Sequence, residues 1–196
     1  MLYLEDHLER FTDAEVERWM QQLPEQRRRQ AEAFRHALGR KQCVLAYRML
    51  CCALQTEYGL SDLPEFEYSK QGKPFLAGHP DIHFNLSHCR QAVACAVSDR
   101  PVGVDVESIG RDKPELVEHV MSPREQQTIR SSARPQETFA ILWTRKEALL
   151  KLTGEGLVDH LAGVLESPLA ENVQFDTRVH ADQGYVCTMA WEKTGR

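Results

Sequence analysis

The sequence predicts an α+β protein built from two halves of similar size. Three observations predict this class: helical patterns precede strand patterns in the first half of the 196 residues, the same order returns in the second half, and no low-complexity linker separates them. We place the boundary near Asp99 to Pro101, which divides the chain into an N-terminal lobe of residues 1–100 and a C-terminal lobe of residues 101–196. Without a linker, the two halves are expected to pack directly against each other.

Helical signals dominate the N-terminal third of the chain. Thr12 and Glu15 have the spacing of a capping box, which predicts that a helix begins there. Pro24 is suited to the first turn of a second helix that continues through the arginine-rich stretch after it. A third helix, from Lys41 to Tyr58, is apolar on nearly every side and is closed by Gly59, so we expect it to be buried.

Short extended segments separated by turn residues complete the first half. Polar and aromatic residues alternate from Glu65 to Ser69, and the stretch from Lys70 to Pro74 has the composition of a turn. Two further strands are predicted from Ile82 to Asn85 and from Gln91 to Ser98.

The second half begins with a strand, predicted from Val102 to Glu107. Ser122 and Glu125 then form a second capping box, and a long helix is expected from Pro135 to Gly154. The last two predicted strands are Val173 to Val179 and Tyr185 to Trp191.

Composition and charge exclude several classes of protein. With 24 Lys and Arg against 29 Asp and Glu, the net charge of −5 argues against a protein that coats nucleic-acid phosphates. The first residues are acidic where a signal peptide needs a basic start, and no apolar run reaches the roughly 18 residues of a membrane span. The six cysteines contain no C-x-x-C pair and read as reduced core residues. We therefore expect a cytoplasmic protein with no nucleic-acid or membrane partner.

The strand from Val102 to Glu107 carries two acidic side chains on one face. Alternation along a strand turns the valines toward a core, while Asp105 and Glu107 project on the other side, about 7 Å apart at Cα. Two carboxylates so placed repel each other unless a cation lies between them, and oxygen ligands favour a hard ion such as Mg²⁺. A strand with one solvated face is the alternative interpretation.

The predicted long helix carries a third carboxylate and a lysine. Trp143, Glu147 and Lys151 lie four residues apart and therefore share one stripe of the helix. A Glu–Lys pair with this spacing is a weak signal by itself, since such surface pairs contribute only a few tenths of a kcal/mol. Combined with the two strand carboxylates, it supplies what a magnesium-assisted phosphoryl-group transfer requires.

Two segments of the first half are candidate anion sites. The Gly72-Lys73-Pro74 stretch can present a lysine on a rigid turn, although it lacks the spacing of a Walker loop. Ser87 and His88 end a strand, where small polar groups and backbone N–H groups can hold a phosphate. A plain β-turn and a plain strand end are the alternatives.

Taken together, these motifs resemble the 4′-phosphopantetheinyl transferases of the surfactin-synthetase type. That family has a G-hydrophobic-D-hydrophobic-E strand and a W-S/T-x-K-E-A-x-x-K helix, which match Gly103–Glu107 and Trp143–Lys151. Upstream it has G-K-P and N-hydrophobic-S-H, which match Gly72–Pro74 and Asn85–His88. The four motifs occur in the family's order and span residues 72–151.

The resemblance implies a pseudodimer of two similar α+β lobes with the active site in the cleft between them. It also implies transfer of the phosphopantetheine arm of coenzyme A to a serine of an apo acyl or peptidyl carrier protein, with release of adenosine 3′,5′-bisphosphate. By position, Asp105, Glu107 and Glu147 would bind Mg²⁺, and Lys151 would stabilise the pyrophosphate charge. Glu147 or a metal-bound water would take the proton from the serine. Two lobes in one chain make a monomer sufficient.

Further coenzyme contacts follow from the same resemblance. Lys73 and Pro74 would lie along the nucleotide, Ser87 and His88 would contact its phosphates, and Arg40 would bind the 3′-phosphate. Two alternatives stay open: an inactive module of the same fold that binds coenzyme A or a carrier protein, and another magnesium-dependent phosphotransferase.

Overall fold

Three small antiparallel sheets and the helices packed on them make up the protein, which we describe from a computed structural model covering residues 1–154 and 161–193. The expected mixture of helices and strands is confirmed. The helices are α1 Asp13–Gln21, α2 Glu25–Glu32, α3 Ala37–Tyr58, α4 Pro114–Val120, α5 Pro123–Ser131, α6 Pro135–Thr153 and α7 Pro168–Glu171, with single 3₁₀ turns at Leu8–Arg10 and Val164–Glu166. The strands are β1 Leu2–Glu5, β2 Phe66–Tyr68, β3 Pro74–Leu76, β4 His83–His88, β5 Val93–Ser98, β6 Val102–Ser108, β7 Val173–His180 and β8 Tyr185–Glu192.

Each half contains one three-stranded sheet. The first has the order β1-β5-β4, and the second has the order β6-β8-β7, with all neighbouring strands antiparallel. Strands β2 and β3 form a separate hairpin. None of the helices in the described ranges is both long and apolar enough to span a membrane.

Local sequence signals set several helix ends as predicted. Both capping boxes form, at Thr12 with Glu15 and at Ser122 with Glu125. Helices α3 and α6 end at Gly59 and Gly154, which adopt the left-handed conformation that glycine tolerates best.

Four elements differ from the sequence prediction. Residues Leu2–Glu5 form a strand within a region that carries mainly helical signals, because they pair with the edge of β5. The predicted turn at Lys70 to Pro74 leads directly into β3, and the short helices α4 and α7 were not predicted.

Separate hydrophobic clusters lie under α3, under α6 and between the two halves. Helix α3 buries Tyr47, Leu50 and Leu54 against Phe84 of the first sheet. The cluster between the halves joins the alanines of β5 to the valines of β6. The two halves therefore pack directly against each other.

Side chains connect the facing edges of the two main sheets. Asn85 Oδ1 on β4 accepts the Val104 N–H of β6 at 2.9 Å, and Ser87 Oγ accepts the Val106 N–H at 3.3 Å. We call this pair of contacts the β4–β6 seam. A second long-range contact runs from the Tyr185 hydroxyl to Asp6 Oδ2 at 2.8 Å.

Candidate active site

A cavity of about 400 Å³ lies where elements of both halves meet. Its volume falls within the range of small-molecule sites. Its lining comes from Arg27, Gln30, Phe34, Cys43, Ala46, Phe66, Gln71, Gly72, Lys73, Pro74, Asn85, Leu86 and His88 in the first half and from Glu147, Leu150, Lys151 and Gly154 in the second.

Gly103 allows helix α6 to lie directly on strand β6. A Cβ atom at this position would lie 2.0 Å from the Ala148 carbonyl oxygen and 2.6 Å from the Leu152 nitrogen, so no larger residue fits without moving the helix. This close approach brings the helix stripe that carries Glu147 and Lys151 against the carboxylates of β6.

Asp105 is buried beneath α6, with only 3% of its surface exposed. Its Oδ1 accepts hydrogen bonds from Lys151 Nζ at 2.6 Å and from Ser87 Oγ at 2.9 Å. Its Oδ2 is also buried and has no partner among the described residues. The alternative of a solvated strand face is therefore wrong, because helix α6 covers that face.

Glu107 is half-buried, and each of its two carboxylate oxygens accepts a hydrogen bond. Trp143 Nε1 donates to its Oε1 at 3.3 Å, and Arg111 Nη1 donates to its Oε2 at 2.6 Å. Burial, followed by the negative charge of Asp105, raises the pKa of Glu107 above its ordinary value.

Glu147 projects from α6 into the cavity wall. Burial is the main cause that raises its pKa, and Asp105 and Glu107 raise it further, while Lys151 opposes them. The three carboxylates are thus close enough to repel one another across the β6–α6 contact.

The donor set fits a hard divalent cation. All the candidate ligands are carboxylate oxygens, which Mg²⁺ prefers, and the unpartnered Asp105 Oδ2 can accept a cation. Within residues 1–154 and 161–193, no three acidic, histidine or cysteine side chains already converge closely enough to hold a metal. Lys151 and Arg111 now balance Asp105 and Glu107, so a bound cation would displace or share these contacts.

His88, Lys73 and Pro74 line the cavity from the first half. His88 is exposed toward the cavity with its ring edge on Phe34, and burial, followed by the charge of Lys151, lowers its pKa. Lys73 donates to the Leu152 carbonyl at the end of α6 at 2.8 Å, and burial lowers its pKa as well. Pro74 follows it on the cavity wall.

Two of the predicted coenzyme contacts are not among the residues that line the cavity. Arg40 donates to the Phe34 carbonyl at 3.2 Å instead, although Phe34 itself reaches the wall. Ser87 is buried in the β4–β6 seam, and its hydroxyl is bonded within the protein. Their assignment to the coenzyme stays a prediction.

Comparison with known proteins identifies the family. The model of the 4′-phosphopantetheinyl transferase superfamily matches residues 101–190, which include the three carboxylates and Lys151. The chain is 35% identical over 135 residues to the 4′-phosphopantetheinyl transferase psf-1 of Bacillus pumilus. Over residues 101–190 the chain therefore resembles the 4′-phosphopantetheinyl transferase superfamily. It is also 29% identical over 147 residues to the 4′-phosphopantetheinyl transferase Sfp of Bacillus subtilis strain 168, so the resemblance to the surfactin-synthetase type is confirmed.

These alignments cover only part of the relatives. They span 67% of this chain and 58% of psf-1, and 73% of this chain and 65% of Sfp. A third relative, AcpT of Salmonella typhimurium, is 40% identical over 101 residues, which are 48% of this chain and 52% of AcpT. The chain therefore spans less than two thirds of the length of each of these curated relatives.

An arginine that the sequence analysis missed also lies at the cavity. Arg27 of α2 is 7% exposed and stands over the rings of Tyr47 and Phe66, at 5.6 and 5.3 Å from their centroids. A signal existed: Arg27 and the apolar Ala31 are four residues apart and share the buried face of α2.

A second missed residue lies inside the W-T-R-K-E-A motif of α6. Lys146 has 0% exposure and donates to Glu125 Oε2 at 2.6 Å. It also donates to the carbonyls of Val120 at 2.7 Å and Leu161 at 2.9 Å. The lysine next to Glu147 is thus fully bonded on the far side of the helix.

Proposed function

We propose that the protein transfers the phosphopantetheine arm of coenzyme A to a serine of an apo acyl or peptidyl carrier protein and releases adenosine 3′,5′-bisphosphate. The observation that carries this proposal is the contact of Lys151 on α6 with Asp105 on β6, beside the cavity that Glu147 and Lys151 line. The names of the relatives support the same reaction. As a finer part of the proposal, the halves are related lobes of a pseudodimer and the cavity is the cleft between them.

The metal belongs to this proposal because the residues present fit it. Asp105, Glu107 and Glu147 would hold Mg²⁺, which neutralises pyrophosphate charge when bound. Burial is the main cause of the raised pKa values of Glu107 and Glu147, and repulsion from neighbouring carboxylates, which a divalent cation would relieve, adds to it.

The cavity is suited to an anionic nucleotide. Lys73 and Lys151 stand at its wall beside Pro74, and their positive charge favours phosphate groups, while the neutral His88 ring can donate a hydrogen bond to a phosphate. For the 3′-phosphate we keep Arg40 as the candidate, with Arg27 as the basic residue that lines the cavity itself. Lys151 would stabilise the charge that develops on the pyrophosphate.

Glu147 is the proposed general base. It would accept the proton of the carrier serine as the serine oxygen forms its bond to the phosphorus of the pantetheine phosphate. The pyrophosphate bond breaks in the same step, and the bonding electrons leave with adenosine 3′,5′-bisphosphate. Glu147 lines the cavity, so a serine that enters there can reach its carboxylate, and a metal-bound water is the alternative base.

The oligomeric state, the location and the partners of the protein are proposed together with its activity. Both halves of one chain supply the cavity wall, so a monomer is sufficient. We propose a cytoplasmic enzyme whose partners are coenzyme A and a carrier protein, without nucleic acid or membrane.

Intact-mass spectrometry of a carrier protein tests the proposal. Incubation of the protein with apo carrier, coenzyme A and Mg²⁺ should add one phosphopantetheine mass to the carrier. A panel of fatty-acid, polyketide and peptide carriers covers the substrate class. Coenzyme A binding without any mass shift across the panel would contradict the transferase and favour an inactive module.

A further inference from the structure

The Ser87 hydroxyl has no hydrogen-bonding capacity left for a ligand. A hydroxyl offers one donor and two acceptor positions. Ser87 donates to Asp105 Oδ1 at 2.9 Å, and it accepts from the Val106 N–H at 3.3 Å and from Lys151 Nζ at 3.1 Å. A phosphate oxygen only accepts, so Ser87 could bind it only by withdrawing its single proton from Asp105.

Burial supports the same conclusion. Ser87 is only 8% exposed and is not among the residues that line the cavity, although Asn85, Leu86 and His88 are. Its hydroxyl is instead bonded to Asp105, Val106 and Lys151 of the second half.

The seam also fixes the backbone on both sides of Asp105. Asn85 and Ser87, two residues apart on β4, hold the N–H groups of Val104 and Val106, two residues apart on β6. Asp105 lies between these two anchored residues. Its backbone and its Oδ1 are both held from the first half, which leaves the unpartnered Oδ2 in a defined orientation.

The geometry points to Ser87 as a positioning residue for the Asp105 carboxylate, and through it for the divalent cation, rather than as a contact of the coenzyme phosphates. The inference rests on the proposed function, because that function assigns the cation to Asp105. Groups that orient metal ligands from behind commonly change metal affinity or activity by about 10- to 100-fold when they are removed.

Mn²⁺ binding to the protein alone tests this role, since Mn²⁺ takes the same oxygen ligands as Mg²⁺. Free Mn²⁺, measured by electron paramagnetic resonance without coenzyme A, should show about 10- to 100-fold weaker binding to Ser87→Ala than to the unaltered protein. Ser87→Thr keeps the hydroxyl and should restore most of the affinity. Ser98→Ala, at the end of β5 and outside the cavity, is the matched control and should bind like the unaltered protein.

Steady-state kinetics separate the two roles of Ser87. A positioning role predicts that Ser87→Ala lowers kcat while KM for coenzyme A stays within about threefold at saturating Mg²⁺. A phosphate contact predicts a raised KM with unchanged Mn²⁺ binding, and that result would overturn the inference. Thermal unfolding of each variant shows that the weakened binding does not come from a loss of folded protein.

The failure of the inference and the failure of the proposed function are distinguishable. An unaltered protein that binds Mn²⁺ but modifies no carrier contradicts the transferase, while weaker Mn²⁺ binding by Ser87→Ala still supports the positioning role. Equal Mn²⁺ binding by the variant and the unaltered protein overturns the positioning role even where transfer is observed.

Discussion

Lys146 and Glu147 are neighbours on α6, and they have opposite surroundings. Lys146 faces the core, where one carboxylate and two carbonyls satisfy all three of its N–H donors. Glu147 faces the cavity, where burial and two other carboxylates disfavour its charge. Because a saturated buried ion has nothing left to offer a ligand, the core side of the helix serves stability and the cavity side serves chemistry.

The largest expected effect on carrier modification comes from a substitution on the cavity side of α6. Replacing Asp105 by alanine should lower carrier modification by about 1000-fold or more, since a bound metal contributes several kcal/mol and each 1.36 kcal/mol is tenfold. The thermal unfolding midpoint should change little, because Lys151 is partly exposed and can turn to solvent. The control is Glu118→Ala, an exposed acid on α4. Undiminished turnover at saturating Mg²⁺ would contradict the assignment of Asp105 to the metal.

On the core side, Lys146→Met should affect stability instead of activity. Glu125 would stay buried without its partner, so we expect the free energy of unfolding to fall by about 3–5 kcal/mol, measured by chemical denaturation. The rate per folded molecule should stay within a few-fold. Adding Glu125→Gln removes the unpaired charge and keeps the capping contact, so the double variant should recover part of the loss. A loss of turnover without a loss of stability would contradict the assignment of Lys146, on the core side of α6, to stability alone.

Gly103→Ala should lower both the stability of the protein and its carrier modification. The added Cβ meets the backbone of α6 and forces the helix away from β6, at a cost of about 1–3 kcal/mol from overpacking. Because this movement separates Glu147 and Lys151 from Asp105, carrier modification should fall along with the unfolding midpoint. Unchanged activity in a destabilised variant would show that the spacing of helix and strand is not critical to the reaction.

The smallest effect is expected at the end of the helix. Lys73→Met removes the donor to the Leu152 carbonyl and should lower the free energy of unfolding by about 1 kcal/mol, the net contribution of one hydrogen bond. Lys113→Met, at an exposed position before α4, is the control. Equal denaturation midpoints for both variants would mean that this contact contributes no stability.

Local signals explain which parts of the fold could be predicted. The capping boxes at Thr12 and Ser122 and the terminal glycines of α3 and α6 act within one helical turn, so the sequence shows them directly. Strand β1 depends on pairing with residues 88 to 94 positions away, and nothing in Leu2–Glu5 reveals that partner.

In the candidate site, too, the sequence predicts local features but not those that depend on tertiary packing. The alternation of β6 correctly separated the valines from Asp105 and Glu107, but burial of the acidic face came from α6 through Gly103. Ser87 looked like a strand-end hydroxyl, and its partners on β6 and α6 appear only once the two halves are packed. Lys146 carries no local sign of burial, since its partners lie on α5, before α5 and after α6.

The order of strands in the second sheet has a consequence for biosynthesis. Strand β8 lies between β6 and β7 and follows both in the chain, so neither has its sheet partner until the ribosome has made residues 185–192. The first sheet needs only residues up to 98 and can form earlier. While β8 is still being made, Asn85 and Ser87 of β4 already offer β6 a place to dock. Asn85 and Ser87, which hold β6 in the folded protein, are thus also available to bind this strand during synthesis.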